Sequence, residues 1–210
     1  MSGSNSNNGN AQSVPIGVAY GEIFVVYHGE TEWNADGGIQ GYLYIKLNEI
    51  GRRQATAVGE RLSREGKIST IYSSGLKRAL ETANLIAIAC GGLENLRYQG
   101  SRSTGKKSRG AQGLGPPAAA RICPEAFKVL RSRKMDREIP GGGESIDPMC
   151  LRNISMKHKA GERLIVVIHD CVIQSLHKQA CPNKPSGKKV LNTSVNIFHL
   201  FDGDNWVLKS

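Results

Sequence analysis

The chain has 210 residues and a formal net charge of +10, with 39% hydrophobic and 6% aromatic residues. That length suits one domain with a single substantial core, and no apolar run is long enough to span a membrane. Arg97, Arg102, Lys106, Lys107, Arg109 and Arg121 fall in a stretch from Asn95 to Pro124 that has no Asp or Glu, so the charge implies one basic segment rather than a basic surface throughout.

Residues 1–20 are polar, and the first Lys or Arg is Lys46. A secretory leader needs a basic start and an apolar core, and a mitochondrial presequence is Arg-rich; the stretch has neither. It reads as a disordered tail ahead of a domain at 21–210, with a chloroplast transit peptide as the alternative that a Ser-rich, acid-poor start leaves open. "EIFVVY" (22–27) is a β-branched apolar run and predicts a buried strand. Asn48 caps the next predicted helix, with Ala55, Val58 and Leu62 on its buried side and Gly66 at its end. "STIYSS" (69–74) predicts a second strand, and the helix after it closes at Gly91 and Gly92. Between 97 and 117 a basic, low-complexity insert with five Gly and two Pro has no apolar period and reads as a loop. A short helix starting at Pro124, a turn-rich "EIPGGGES" and a weak helix over 146–159 follow. "RLIVVIH" (163–169) is the most apolar strand, "CVIQSLHKQA" a helix, and "TSVNIFHLF" with "NWVLK" a terminal strand pair. Strands alternating with helices predict an α/β domain of three layers, α/β/α, with a mostly parallel sheet.

The five cysteines, Cys90, Cys123, Cys150, Cys171 and Cys181, are odd in number and have no metal-ligand spacing. They read as reduced thiols of a cytoplasmic protein, none of them a nucleophile. The polar punctuation of the strands is more informative. Ligands of open α/β sheets gather at the carboxyl ends of strands. Two strands here end in histidine, at His28 and His169, and a third leads to Arg78 about one turn into the following helix.

The blocks "YHGETEWN", "YSSGLKRALETA", "PGGGES" and "VVIHD" resemble, nearly in order and spacing, the histidine phosphatase superfamily in its phosphoglycerate mutase-like branch. The resemblance is nearest to plant cytosolic members, some of which are described as metal-independent phosphoserine phosphatases. It implies a phosphoglycerate mutase-like fold and a phosphomonoester hydrolase. Neutral His28 would attack phosphorus and carry a phosphohistidine, Arg78 would clamp phosphate oxygens, and His169 would donate to the same oxygens. Tyr27, Gly29, Thr31, Asn34, Gln40 and Gly41 would line the substrate. The resemblance implies no metal and no other cofactor. The implied partner is a small phosphorylated metabolite, phosphoserine or a sugar or glycerate phosphate, with neither membrane nor nucleic acid; a homodimer is within the family's range.

The sequence departs from that pattern. The family motif opens with Arg where Tyr27 stands, and losing one electrostatic donor costs on the order of 10²–10³ in rate. No carboxylate lies between Glu94 and Glu125, where the family places its general acid, a loss of roughly 10²–10⁴. Asp170 stands where glycine usually follows the second histidine, and the helix after "GGGES" is several residues short. Three functions stay open on these grounds. The first is a slowed hydrolase working through His28, set ahead of a mutase because a mutase must shield its phosphorylated intermediate under an elaborate lid. The second is an impaired member that binds phosphorylated metabolites without turnover. The third is polyanion binding through the insert, whose one aromatic, Tyr98, supplies little stacking and which reads more simply as a solvated loop.

Overall fold

The computed structural model describes residues 21–41, 43–99, 114–125, 127–128, 154, 157–181, 189–201 and 205–209. The elements in chain order are β1 (Gly21–Tyr27), α1 (Glu32–Ala35), α2 (Glu49–Leu62), β2 (Thr70–Ser74), α3 (Lys77–Ala89) and β3 (Leu96–Gln99). They continue with α4 (Pro116–Ile122), β4 (Arg163–Ile168), α5 (Asp170–Ala180), β5 (Val195–Phe201) and β6 (Asn205–Leu208). The six strands form one sheet in the order β3-β2-β4-β1-β5-β6. β3, β2, β4 and β1 run parallel, while β5 pairs antiparallel with β1 and β6 with β5. The mostly parallel sheet predicted from the sequence is therefore present.

The central strands read as continuous apolar runs because both of their faces are covered. Ile23, Val25, Tyr27, Tyr72, Leu164 and Val166 pack on one side with Val172, Ile173 and Leu176 of α5. Phe24, Val26, Ile71, Ile165 and Val167 pack on the other with Leu62 of α2 and Ala79, Ala83 and Ile86 of α3. This is the three-layer arrangement, and each fully buried large side chain in it contributes about 1.5–3 kcal/mol. Asn48 caps α2 as expected, accepting from the Gly51 amide at 2.7 Å. Two elements overlap the ends of the stretch read as a loop, 97–117. β3 is a four-residue edge strand paired parallel with β2, and α4 begins on Pro116 within a run of alanines. Pro at the first helical turn loses no hydrogen bond, which is why a helix can start there. The 1–20 tail, most of the insert, the "PGGGES" loop and most of the weak helix at 146–159 lie outside the described residues.

β1 and β4 are neighbours in register, Tyr27 opposite Ile168. The ladder runs one step further through the His28 amide, which donates to Ile168 O at 3.1 Å. His28 and His169 therefore leave the sheet side by side.

Candidate active site

His28 is 2% exposed, and its Nδ1 lies 2.7 Å from the Gly29 carbonyl. A carbonyl can only accept, so Nδ1 carries the proton and Nε2 carries the lone pair. That lone pair faces the guanidinium: Arg78 Nε donates to His28 Nε2 at 3.1 Å. Burial, and then the Arg78 charge, push the His28 pKa down to about 3. The ring is a neutral base with an oriented lone pair.

Arg78, at the start of α3, is 4% exposed. Its Nη1 and Nη2 donate to the carbonyls of Leu43 and Gly41, each at 2.9 Å. Burial lowers its pKa to about 10, which leaves it charged at neutral pH. No carboxylate lies within salt-bridge distance of it among the described residues. The His169 ring centroid lies 5.2 Å from that of His28. His169 Nε2 meets Ser74 Oγ at 3.0 Å, while its Nδ1 is buried without a partner. Burial and the neighbouring charge of Arg78 hold this ring neutral as well. The two imidazoles and the guanidinium thus meet above the carboxyl ends of β1, β2 and β4. A buried cation bonded to an oriented imidazole lone pair is what an oxyanion with an electrophilic centre would meet.

The other residues expected to line the substrate are placed differently. Thr31 is the N-cap of α1 and forms a reciprocal capping box with Asn34. Asn34 Nδ2 donates to the Tyr27 hydroxyl at 3.2 Å, and the Tyr27 ring packs in the apolar cluster beside α5, 4.5 Å from the His28 ring. Burial, and next the Asp170 charge, push the Tyr27 pKa up, so it stays a neutral phenol. Tyr27, Thr31 and Asn34 therefore bond to one another. Gly29 is required by close approach rather than by a sharp turn: a Cβ there would lie 2.5 Å from the Gly51 carbonyl oxygen. Gly41 contributes its carbonyl to Arg78, and Gln40 is buried with Oε1 unpartnered.

A model of the histidine phosphatase superfamily (branch 1) matches residues 23–210. The chain belongs to this superfamily. It is 50% identical over 198 residues to phosphoglycerate mutase-like protein 4 of Arabidopsis thaliana, covering 91% of this chain and 85% of the relative. It is 40% identical over 206 residues to the metal-independent phosphoserine phosphatase of the same plant, covering 95% and 84%. The solved structure of YhfR from Bacillus stearothermophilus superposes with a TM-score of 0.74 at 26% identity, covering 90% of this chain and 95% of that one. The resemblance carried by the sequence motifs and the phosphoglycerate mutase-like fold are both borne out.

Around the same side chains this histidine phosphatase superfamily member holds residues that the motifs did not single out. Thr82, fully buried on α3, accepts from the Gly29 amide at 2.9 Å and donates to the Arg78 carbonyl at 2.8 Å. One hydroxyl thereby joins the His28 turn to the Arg78 helix. Ser74 meets His169, and Asn192 donates to the His28 carbonyl at 2.9 Å. Thr82 and Ser74 stand inside quoted motif blocks, so their positions were visible; Asn192 had no signal. Asp170 opens α5 and accepts from Gln174 Nε2 at 3.3 Å, and its charge helps to keep Arg78 protonated. Burial pushes the Cys171 thiol up to about 12. Cys90, Cys171 and Cys181 are free thiols. Among the described residues no three His, Cys, Asp or Glu side chains cluster as metal ligands, and no helix is long and apolar enough to cross a membrane.

Proposed function

We propose that the protein is a phosphomonoester hydrolase acting through a phosphohistidine at His28. The observation that supports it most directly is the His28 lone pair, neutral and aimed at the buried Arg78 guanidinium at 3.1 Å. In the first step Nε2 attacks phosphorus; the N–P bond forms, the P–O bond to the alcohol breaks, and the alkoxide takes a proton from water. In the second step a water oxygen attacks the phosphohistidine and the N–P bond breaks. Its electron pair returns to Nε2, and inorganic phosphate leaves. Arg78 and His169 stabilise the equatorial oxygens, with Arg78 carrying the only full charge of the three. No step uses a metal. The similarity to the Arabidopsis phosphoserine phosphatase supports a small phosphorylated metabolite such as phosphoserine as substrate, with a sugar or glycerate phosphate as the alternative. Cysteines read as reduced thiols support a cytoplasmic location.

Turnover is slow in this reading. A neutral, packed Tyr27 replaces one clamp, and Glu30, Glu81 and Asp170 are already engaged: Glu30 with Asn48, Glu81 with Arg52 and the Leu47 amide, and Asp170 with Gln174. The second reading, binding of phosphorylated metabolites without turnover, draws on the same two losses. Hydrolysis of p-nitrophenyl phosphate separates them, because its good leaving group needs little protonation. The expected result is turnover by the wild type and none by His28→Ala. Absence of turnover in both, with orthovanadate still raising the melting temperature, supports the binding reading and overturns the hydrolase.

A further inference from the structure

Residues 191–194 cross the carboxyl end of β1, and we infer that Asn192, held there by a strained Thr193, is a positioning residue for the His28 ring. The inference rests on the reading of His28 as the phosphoryl acceptor. Three bonds fasten the crossing. The Tyr27 amide donates to Ser194 O at 3.2 Å, the Thr193 amide donates to Tyr27 O at 3.0 Å, and Asn192 Nδ2 donates to His28 O at 2.9 Å. The same Asn192 amide lies 3.5 Å from Asn34 Oδ1, which also accepts from the Thr31 amide and hydroxyl. Asn192 therefore ties the nucleophile's own carbonyl to the cap of α1.

Thr193 supplies an independent sign that this placement matters. Its φ of 58° is the only positive value at a non-glycine residue among the described residues. A β-branched side chain is strained in that region, where glycine or asparagine would sit without cost. Strain of this kind persists where the surroundings over-determine it, and it clusters at functional sites. Here the Thr193 amide bond to Tyr27 O and its hydroxyl bond to Asn192 O, at 2.7 Å, hold the turn that aims Asn192 at His28.

The chemical consequence runs through the tautomer. The lone pair sits on Nε2 because Nδ1–H donates to the Gly29 carbonyl, and Arg78 Nε meets it there. That carbonyl follows directly on the planar His28–Gly29 peptide, and this peptide is gripped from both sides: Thr82 accepts from its Gly29 amide and Asn192 donates to its His28 carbonyl. Without the Asn192 donor the peptide is held on its amide side alone, by Thr82, and the Gly29 carbonyl beyond it can shift away from Nδ1. Part of the population then turns from Arg78 and takes the Nε2–H form, which has no lone pair to offer phosphorus. Arg78, which holds the substrate's phosphate, is untouched, so the loss falls on kcat rather than on KM.

The test uses the full chain with Asn192→Ala, the isosteric Asn192→Asp and Thr193→Gly. It reads kcat and KM on p-nitrophenyl phosphate, and the tautomer of His28 from long-range ¹H–¹⁵N imidazole spectra. Asn192→Ala should lower kcat about tenfold with KM within about twofold, the size of a small misplacement of a reacting group. Its His28 spectrum should shift from the Nδ1–H form toward a mixture. Asn192→Asp, which swaps the donor for an acceptor, should lose more. Thr193→Gly should keep or raise the melting temperature while kcat falls. A merely structural Asn192 would lower the melting temperature and leave the tautomer alone; an unchanged tautomer together with an unchanged kcat overturns the inference. If the wild type turns over no substrate, the hydrolase reading falls, and the imidazole spectra decide the role of Asn192 on their own.

Discussion

The two ends of β1 carry opposite solutions to the problem of a buried ionisable group. At the amino end Glu22 is 7% exposed and is met by Arg163 at 2.8 Å, Lys209 at 3.1 Å and His199 at 3.3 Å. Burial pushes its pKa up, but Lys209, His199 and Arg163 outweigh burial and hold the carboxyl below the usual range. At the carboxyl end Arg78 is as deeply buried, yet its partners are two carbonyls and a neutral imidazole. Dipoles solvate the cation without neutralising it. The first end is a closed ion network that locks the last strands to the sheet. The second is a cation that an anion can still improve. Buried ion pairs contribute little net stability but are costly to break, whereas an uncompensated charge in a dry hollow is the usual material of a catalytic or binding site.

The contrast is broken most severely at Arg78. Arg78→Gln should cut kcat/KM on p-nitrophenyl phosphate by about 10²–10³, as for loss of one electrostatic donor, with the melting temperature held or raised because an uncompensated charge has left the interior. Glu22→Gln should do the reverse. It leaves Arg163 and Lys209 without their carboxylate, and His199 beside a neutral amide, and should cost about 3 kcal/mol in urea unfolding, while kcat/KM measured well below the melting temperature stays within about twofold of the wild type. Equal losses of activity from the two variants would erase the distinction.

The pH dependence sharpens it. His28 and His169 are both held neutral by burial, with His28 at about 3. A depressed folded pKa means that the unfolded chain binds the proton more tightly. The stability these rings contribute is therefore complete above the ordinary imidazole value of 6.5 and is lost as pH falls from there toward 3, at up to about 1.4 kcal/mol per pH unit per ring. The Glu22 carboxyl is depressed too, so its contribution is present at neutral pH and is lost only lower, as the unfolded carboxyl begins to protonate. Melting temperatures across this range should fall in two stages, and Glu22→Gln should remove only the more acidic one. The kcat/KM profile should show no acid inflection at the ordinary imidazole value, since His28 is not protonated there in the folded enzyme. The smallest effect is expected from Thr82→Val, which keeps the shape but leaves the buried Gly29 amide without an acceptor. Urea unfolding should report a loss of about 1–3 kcal/mol, and kcat should fall with it because the His28 turn and the Arg78 helix are no longer joined.

Much of the molecule can be read from the chain alone because it is local. The apolar runs at 22–27 and 163–169, the Asn48 cap and the glycines after α3 each act within a few residues, and they specify where strands and helices begin and end. The motif blocks likewise single out His28, Arg78 and His169, since each sits at a strand end or one turn beyond it. What escaped is set at long range. β3 is four residues whose only reason to be extended is the ladder with β2. The reach of Asn192 to His28 spans 164 positions, that of Ser74 to His169 spans 95, and that of Thr82 to Gly29 spans 53. The turn after β1 also brings Asn34 to both Tyr27 and Thr31. Local periodicity determined the elements and the histidines at their ends. Strand order alone decided which polar groups meet, because a hydrogen bond needs its two atoms within about 3 Å and only the assembled sheet brings them there.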